Sequence, residues 1–227
     1  TPEIVRGTVD NIRNVVKNEG RDPNHVKIIV GIGIIVAATD EEARAKRDEY
    51  IKYADYEGCL ALFGGWTGID LSAYGDDDDF RLSDSPRVRA IVKQWAETVP
   101  GTDNLPWTKR RIAEYLALGG MQAKIVGSPQ TVADELERWM DISGVDGFNL
   151  AHQVNPGSFE DIIEYVLPEL RRRGRFRATV EREGVTAREV FYGQARLLDD
   201  HPGSKYKWPA GEPKPPFLAA QEKEESN

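Results

Sequence analysis

The sequence predicts an α/β fold, and three observations carry that prediction. Residues 26–36, Val26-Lys27-Ile28-Ile29-Val30-Gly31-Ile32-Gly33-Ile34-Ile35-Val36, are β-branched and nearly uncharged, as a central parallel strand and its extension require. Gly147-Phe148-Asn149-Leu150-Ala151 is too short and too apolar for a surface helix, and suits a parallel strand covered on both faces. After each run comes a residue placed to cap a following helix, Thr39 in the first case and Ser158 in the second.

The elements follow in order. Ile4, Val5, Val9, Ile12, Val15 and Val16 carry helical periodicity, with Gly20 as the stop. The glycines of the 26–36 run suggest a dinucleotide fingerprint, but the third glycine is missing and Ile34, Ile35 and Val36 continue the strand. Thr39 caps a charged helix from Asp40 to roughly Tyr53, with Asp40, Glu41 and Glu42 in the first turn, where the helix dipole favours them. Leu60 to Phe63 is an apolar patch before a Gly64-Gly65-Trp66-Thr67-Gly68 turn. Asp70 to about Asp103 reads as polar connection with one helical piece, Ser85 or Pro86 to Ala96. The acidic run Asp76 to Asp79 lacks the glycine and the distal glutamate of an EF-hand, so it is expected as solvated loop and no metal site is assigned. Thr108 begins a further helix, closed by Gly119-Gly120. An excursion from about 64 to 120 is long for a compact domain unless it is functional, and a lid over a site is the usual reason.

Ile125 to Gly174 is read as short strand, capped helix, strand, loop and second helix. Ser128 stands at the N-cap with Pro129 at the first helical position, and Val132, Leu136, Trp139 and Met140 form one buried side. Ser158 is expected to cap the last helix of the unit, with Phe159, Ile162, Ile163, Val166, Leu167 and Leu170 as its stripe; Arg171, Arg172, Arg173 and Gly174 end it. One short helix, Ala187 to about Leu197, precedes a tail from His201 to Asn227, rich in proline and charge and expected to be extended or disordered. Residues 1–200 are thus assigned to one domain and 201–227 to the tail.

Composition bounds the partners. The chain has 227 residues, 40% hydrophobic and 30% charged, with a formal net charge of −8. That size and balance suit one compact domain, and the negative charge argues against nucleic acid or an anionic membrane as partner. No stretch approaches a membrane span. Cys59, the single cysteine, lies in an apolar run and reads as a buried reduced thiol, in keeping with a cytoplasmic location.

Three stretches in this order carry a resemblance: GRDPNHVKIIVGIGIIVAATDEEARAKRDEY with GGWTGIDLSAY; VGSPQTVADELERW with DGFNLAHQVNPGSFEDIIEYVLPELRRRGRFR; and REVFYGQARLLDDHPGSKY. Over roughly residues 1–207 the chain resembles the bacterial-luciferase-like flavin monooxygenases, in the branch of nitrilotriacetate and dibenzothiophene-sulfone monooxygenases. The resemblance implies the C-terminal portion of a TIM-type (β/α)8 barrel with a long insertion, the barrel being incomplete in this chain. It also implies reduced FMN from a separate flavin reductase, O2 and a small organic substrate. The family's N-terminal half, including the serine- and arginine-bearing motif that grips the flavin phosphate, lies before the stretch matched here. Association with that missing half, or as a homo-oligomer, is expected. The alternative reading is a non-catalytic half-chain that acts by pairing with a partner subunit.

Candidate site residues each have two readings. His152 follows the Phe148–Leu150 strand, where a barrel presents catalytic groups, and is the catalytic candidate; otherwise it is a loop histidine. Asn149 points opposite to Phe148 and Leu150 and meets either flavin or backbone. Trp66 and Thr67 suit a flat wall and a hydroxyl for a substrate, or a tryptophan that anchors a loop. Trp107, after Pro106, has the same two readings, with anchoring favoured. Gly127-Ser128 at a helix start would hold a phosphate or simply cap, and capping is favoured.

Overall fold

The computed structural model describes residues 1–99, 102, 104–180, 182–206 and 211–213. The chain divides into two compact units, Thr1–Val9 with Ile28–Ala178, and Asp10–Lys27 with Thr179–Asn227. Helix α1, Pro2–Asn18, runs through the boundary between them.

The first unit is built on three parallel strands, β1 (Ile29–Val36), β2 (Ala123–Gly127) and β3 (Gly147–Ala151), in the order β2-β1-β3. Successive βα units of a barrel would read β1-β2-β3. Here β1, the longest and most β-branched of the three, pairs along both edges, with Ile34 opposite Ile125 and Gly31 opposite Asn149. The sheet has two unlike faces, because side chains alternate along a strand. Ile32, Ile34 and Val36 with Ile125 meet Val132, Leu136 and Trp139 of α6 (Pro129–Ser143), and Ile162 and Val166. The opposite face carries Gly31, Gly33, Lys124 and Asn149 together with Ile35 and Val126, and its lysine and asparagine make it the more polar of the two. β3 is an edge strand with Asn149 exposed and its neighbours half-buried, so the expected cover on both faces is not found.

Helices α2 (Asp40–Ile51) and α6 start where their capping residues stand. Thr39 and Glu42 form a reciprocal capping box, and Ser128 accepts from Thr131 N–H with Pro129 in the first turn. The last helix is interrupted. α7 (Gly157–Asp161) leads into a π-helical turn, Ile162–Val166, and then α8 (Leu167–Arg172). Pro168 has no N–H for the carbonyl four residues back, and the wide turn stands immediately before it. Ser158 is not the N-cap expected: it lies inside α7, and its hydroxyl accepts from Gln153 and Val154 N–H instead. Of the expected stripe, Ile162 and Val166 are buried whereas Phe159 and Ile163 are exposed, and Met140 of α6 is exposed too.

The excursion has a core of its own. α3 (Tyr56–Thr67), α4 (Pro86–Thr98) and α5 (Lys109–Ala117) gather Phe63, Phe80, Val88, Val92, Trp95, Trp107 and Ile112. The polar connection expected from Asp70 onward therefore packs through its scattered apolar residues. The Gly64–Gly68 turn is also corrected: α3 runs through Gly64-Gly65-Trp66-Thr67 and ends at Gly68, at φ 69°. Each helical glycine costs about 1 kcal/mol against alanine, but the cap at Asp55 and the complete burial of Phe63 outweigh it. Within the acidic run, Asp76 accepts from Lys109 Nζ at 3.2 Å, Asp78 accepts from Gly75 N–H at 2.7 Å, and Asp79 accepts from Arg81 and Trp107 N–H, both at 3.1 Å. Cys59 is half-buried rather than buried.

In the second unit, α9 spans Ala187–Tyr192, shorter than expected, because Gly193 at φ 72° forms a left-handed C-cap. Pro202–Tyr206 forms a 3-10 turn in the stretch expected to be extended, and the rest of the expected tail, apart from 211–213, lies outside the described residues. His25 Nδ1 meets Asp200 Oδ2 at 2.9 Å, and that carboxylate also accepts from Asp22 N–H. No helix among the described residues is long and apolar enough to cross a membrane.

Candidate active site on the polar face of the sheet

The polar face gathers groups from separate elements. At the carboxyl end of β3, Gln153 turns back so that its carboxamide lies beside Gly33 of β1, Gly119 of the loop before β2, and Gln122. A Cβ added at Gly119 would stand 2.6 Å from Gln153 Oε1 and 3.0 Å from Gln122 Nε2, and Gly119 itself adopts φ 82°. Both polar atoms of Gln153 are buried and neither has a hydrogen-bond partner. A buried amide with donor and acceptor both unmet is costly, and such groups in native proteins call for an explanation.

Lys124, on the same face of β2, is held beside it. Its Nζ donates to Gly120 O at 2.6 Å and Gln122 O at 3.1 Å and lies 4.1 Å from the centre of the Tyr115 ring. Burial disfavours the ammonium and lowers its pKa to about 8. Next to Lys124's acceptor, Gly120, comes the indole of Trp66: a Cβ at Gly120 would stand 2.7 Å from Trp66 Cη2. Glycine is required at 120 on both counts, since its φ is 75° and the ring fills the space. Trp66, about half exposed, thus stands where the excursion meets the polar face.

The other sequence-derived candidates are dispersed. Asn149 is exposed on the polar face of β3, opposite Gly31. His152, just beyond β3, is exposed, with its ring 5.6 Å from that of Phe159. Thr67 is buried, and its hydroxyl donates to Phe63 O at 2.6 Å and accepts from Ile69 N–H, so its place is structural rather than substrate-facing. Trp107 is fully buried, 5.5 Å from Trp95 and 5.8 Å from Tyr115, which makes it an anchor of the excursion's core. At Gly127-Ser128 the expected cap is present, and Asp40 Oδ1 accepts from Ser128 N–H at 2.6 Å, where a phosphate would otherwise sit. That hydrogen bond is the largest cause holding the Asp40 carboxyl below its usual pKa. Gln153 and Lys124 were not singled out by sequence reasoning; the glutamine's position two residues past a strand was the available signal.

A small parallel α/β sheet with helices on one face, and a glycine-lined polar face closed in part by a helical excursion, defines the class. Residues 1–147 match the luciferase-like monooxygenase family, and the chain belongs to it. It is 38% identical over 205 residues to the dimethyl-sulfide monooxygenase of Hyphomicrobium sulfonivorans, covering 90% of this chain and 42% of that protein. The branch expected from sequence is represented too, by component A of the nitrilotriacetate monooxygenase of Aminobacter aminovorans, 29% identical over 75% of this chain and 37% of that protein. Among solved structures, DmoA from Hyphomicrobium sulfonivorans superposes with a TM-score of 0.81 at 36% identity, covering 96% of this chain and 47% of that one. A riboflavin lyase with modified FMN and riboflavin superposes at 0.72 and 28% identity, covering 92% and 45%. The chain spans less than half the length of these relatives.

Proposed function

We propose that this chain forms the C-terminal part of a TIM-type barrel in a flavin-dependent monooxygenase, which takes reduced FMN from a separate flavin reductase and uses O2 to oxidise a small organic substrate. The observation that carries the reading is the carboxamide of Gln153, buried without a partner on the polar face of a sheet from a flavin-linked family. A planar ring edge that alternates N–H and C=O groups would meet both of its atoms, and the glycines at 33 and 119 are what let the carboxamide lie against the sheet. Gln153 and Asn149 would hold that edge. The flavin phosphate has no place at Ser128, which Asp40 covers, and its grip belongs to a preceding segment. Within the described residues β2 and β3 each pair with β1 alone, which favours completion by further strands or association.

Reduced FMN, when bound, supplies the electrons that activate O2. The chain's own residues do the rest. Trp66, wedged against Gly120, shields the polar face from water, and Lys124 holds the loop at Gly120 in place. His152, at the carboxyl end of β3, holds or delivers a proton at an imidazole nitrogen near the substrate. The protein works in the cytoplasm, where the reductase supplies its cofactor.

The test completes the barrel by joining this chain to the N-terminal segment of the dimethyl-sulfide monooxygenase that has no counterpart here. With reduced FMN supplied, His152→Ala should lower product formation at least tenfold, equal to about 1.4 kcal/mol of transition-state stabilisation, and raise the share of electrons released as hydrogen peroxide. Unchanged turnover and coupling would remove His152 from the reaction.

A further inference from the structure

The helical excursion contains a cavity of about 590 Å³ between α3, the 3-10 turn Leu71–Ala73 and the start of α5. That volume lies in the range of small-molecule sites. Leu60, Ile69 and Leu71 provide apolar wall, and Lys109 lines the cavity with its side chain only 11% exposed. A buried ammonium needs a counter-charge. The carboxylate that faces Lys109 Nζ is Asp76, at 3.2 Å, whose own side chain is 85% exposed. A pair with one partner so fully in water is weak and easily exchanged.

We propose that this cavity is a binding site for a small aliphatic carboxylic acid, whose carboxylate replaces Asp76 on Lys109 while its hydrocarbon body lies against Leu60, Ile69 and Leu71. The site is separate from the polar face of the sheet, and its occupancy needs neither flavin nor reductant. Glu57 and Asp70 also line the cavity and set the direction of selectivity. Asp70, which also feels the charge of Lys109, accepts from Ser72 N–H at 2.8 Å and is exposed, so Lys109 is the charged group turned from water. If the carboxylates governed the site instead, it would select an amine.

The test is calorimetric titration of the full chain, without flavin, using hexanoate, hexylamine and hexanol as probes. Hexanoate should bind and the other two should bind at least tenfold more weakly. Lys109→Met should weaken hexanoate at least tenfold. Asp76→Asn should tighten it severalfold, because the competing carboxylate is gone, an effect that a purely structural ion pair would not produce. Absence of hexanoate binding, preference for hexylamine, or an Asp76→Asn affinity that is unchanged or weaker would each overturn the proposal, and none of these depends on how Lys109→Met folds.

Discussion

Replacing Lys124 by methionine isolates the energetic consequence of placing an ammonium on the polar face. Burial lowers its pKa from the ordinary 10.5 to about 8, a difference equal to about 3 kcal/mol at 1.36 kcal/mol per pH unit. The sign follows from proton counting: between pH 8 and 10.5 the unfolded chain holds more protons at this site than the folded one, so stability rises with pH. The penalty is fully present below pH 8 and is relieved as pH rises to 10.5. Lys124→Met keeps the aliphatic stem and removes the charge, while Gly120 O and Gln122 O each lose a donor, which offsets about 1 kcal/mol apiece. A net gain of about 1 kcal/mol is therefore expected at pH 7. Urea unfolding followed by tryptophan fluorescence, run on both proteins from pH 7 to 10.5, measures the difference directly. Wild type should gain about 3 kcal/mol relative to the variant over that range. Parallel stability curves would refute the argument, because every other titrating group is common to both.

Other expectations follow from the same geometry. Gly120→Ala combines a left-handed backbone with a close approach to the Trp66 ring and should destabilise by about 2 kcal/mol, read from the shift in urea midpoint. Arg173 joins α8 to α6 by contacting Glu169 at 2.7 Å, Asp134 at 2.6 Å and Glu137 at 2.9 Å. Arg172, then Arg173, hold the Glu169 pKa down at about 2 against an ordinary 4.5; its contribution is complete above pH 4.5 and is lost as pH falls through 2. Arg173→Met should move the midpoint of acid unfolding, followed by circular dichroism, to higher pH; an unchanged midpoint would make the network irrelevant to acid stability.

The sequence disclosed the sheet and its helix starts because those signals are local. The β-branched run at 26–36, of which Ile29–Val36 forms the strand, and the caps at Thr39, Ser128 and Thr108 each determine an element within a few residues. Strand order was not legible, since which edge of β1 receives β3 depends on what else is present to pair. The glycines at 64 and 65 read as a turn, because burial of Phe63 comes from residues far along the chain. The same distance effect hid the site. Gly33, the stretch from Gly119 to Lys124, and Gln153 are separated by dozens of residues, and none has a motif; only the register of β1 with β2 and the return of the chain after β3 bring them together. Ile163 is exposed for a local reason, since it lies within the π turn, whose wider step takes it off the α-helical stripe.

The central claim is that the polar face receives a flavin ring through Gln153. The most direct measurement is FMN affinity, from quenching of flavin fluorescence, in the barrel completed as described above, comparing wild type with Gln153→Ala and Gln153→Glu. The account predicts that FMN binds, that Gln153→Ala weakens it at least tenfold, and that Gln153→Glu, which keeps the acceptor but loses the donor, weakens it as well. FMN affinity unchanged by both substitutions, with the protein folded, would contradict it.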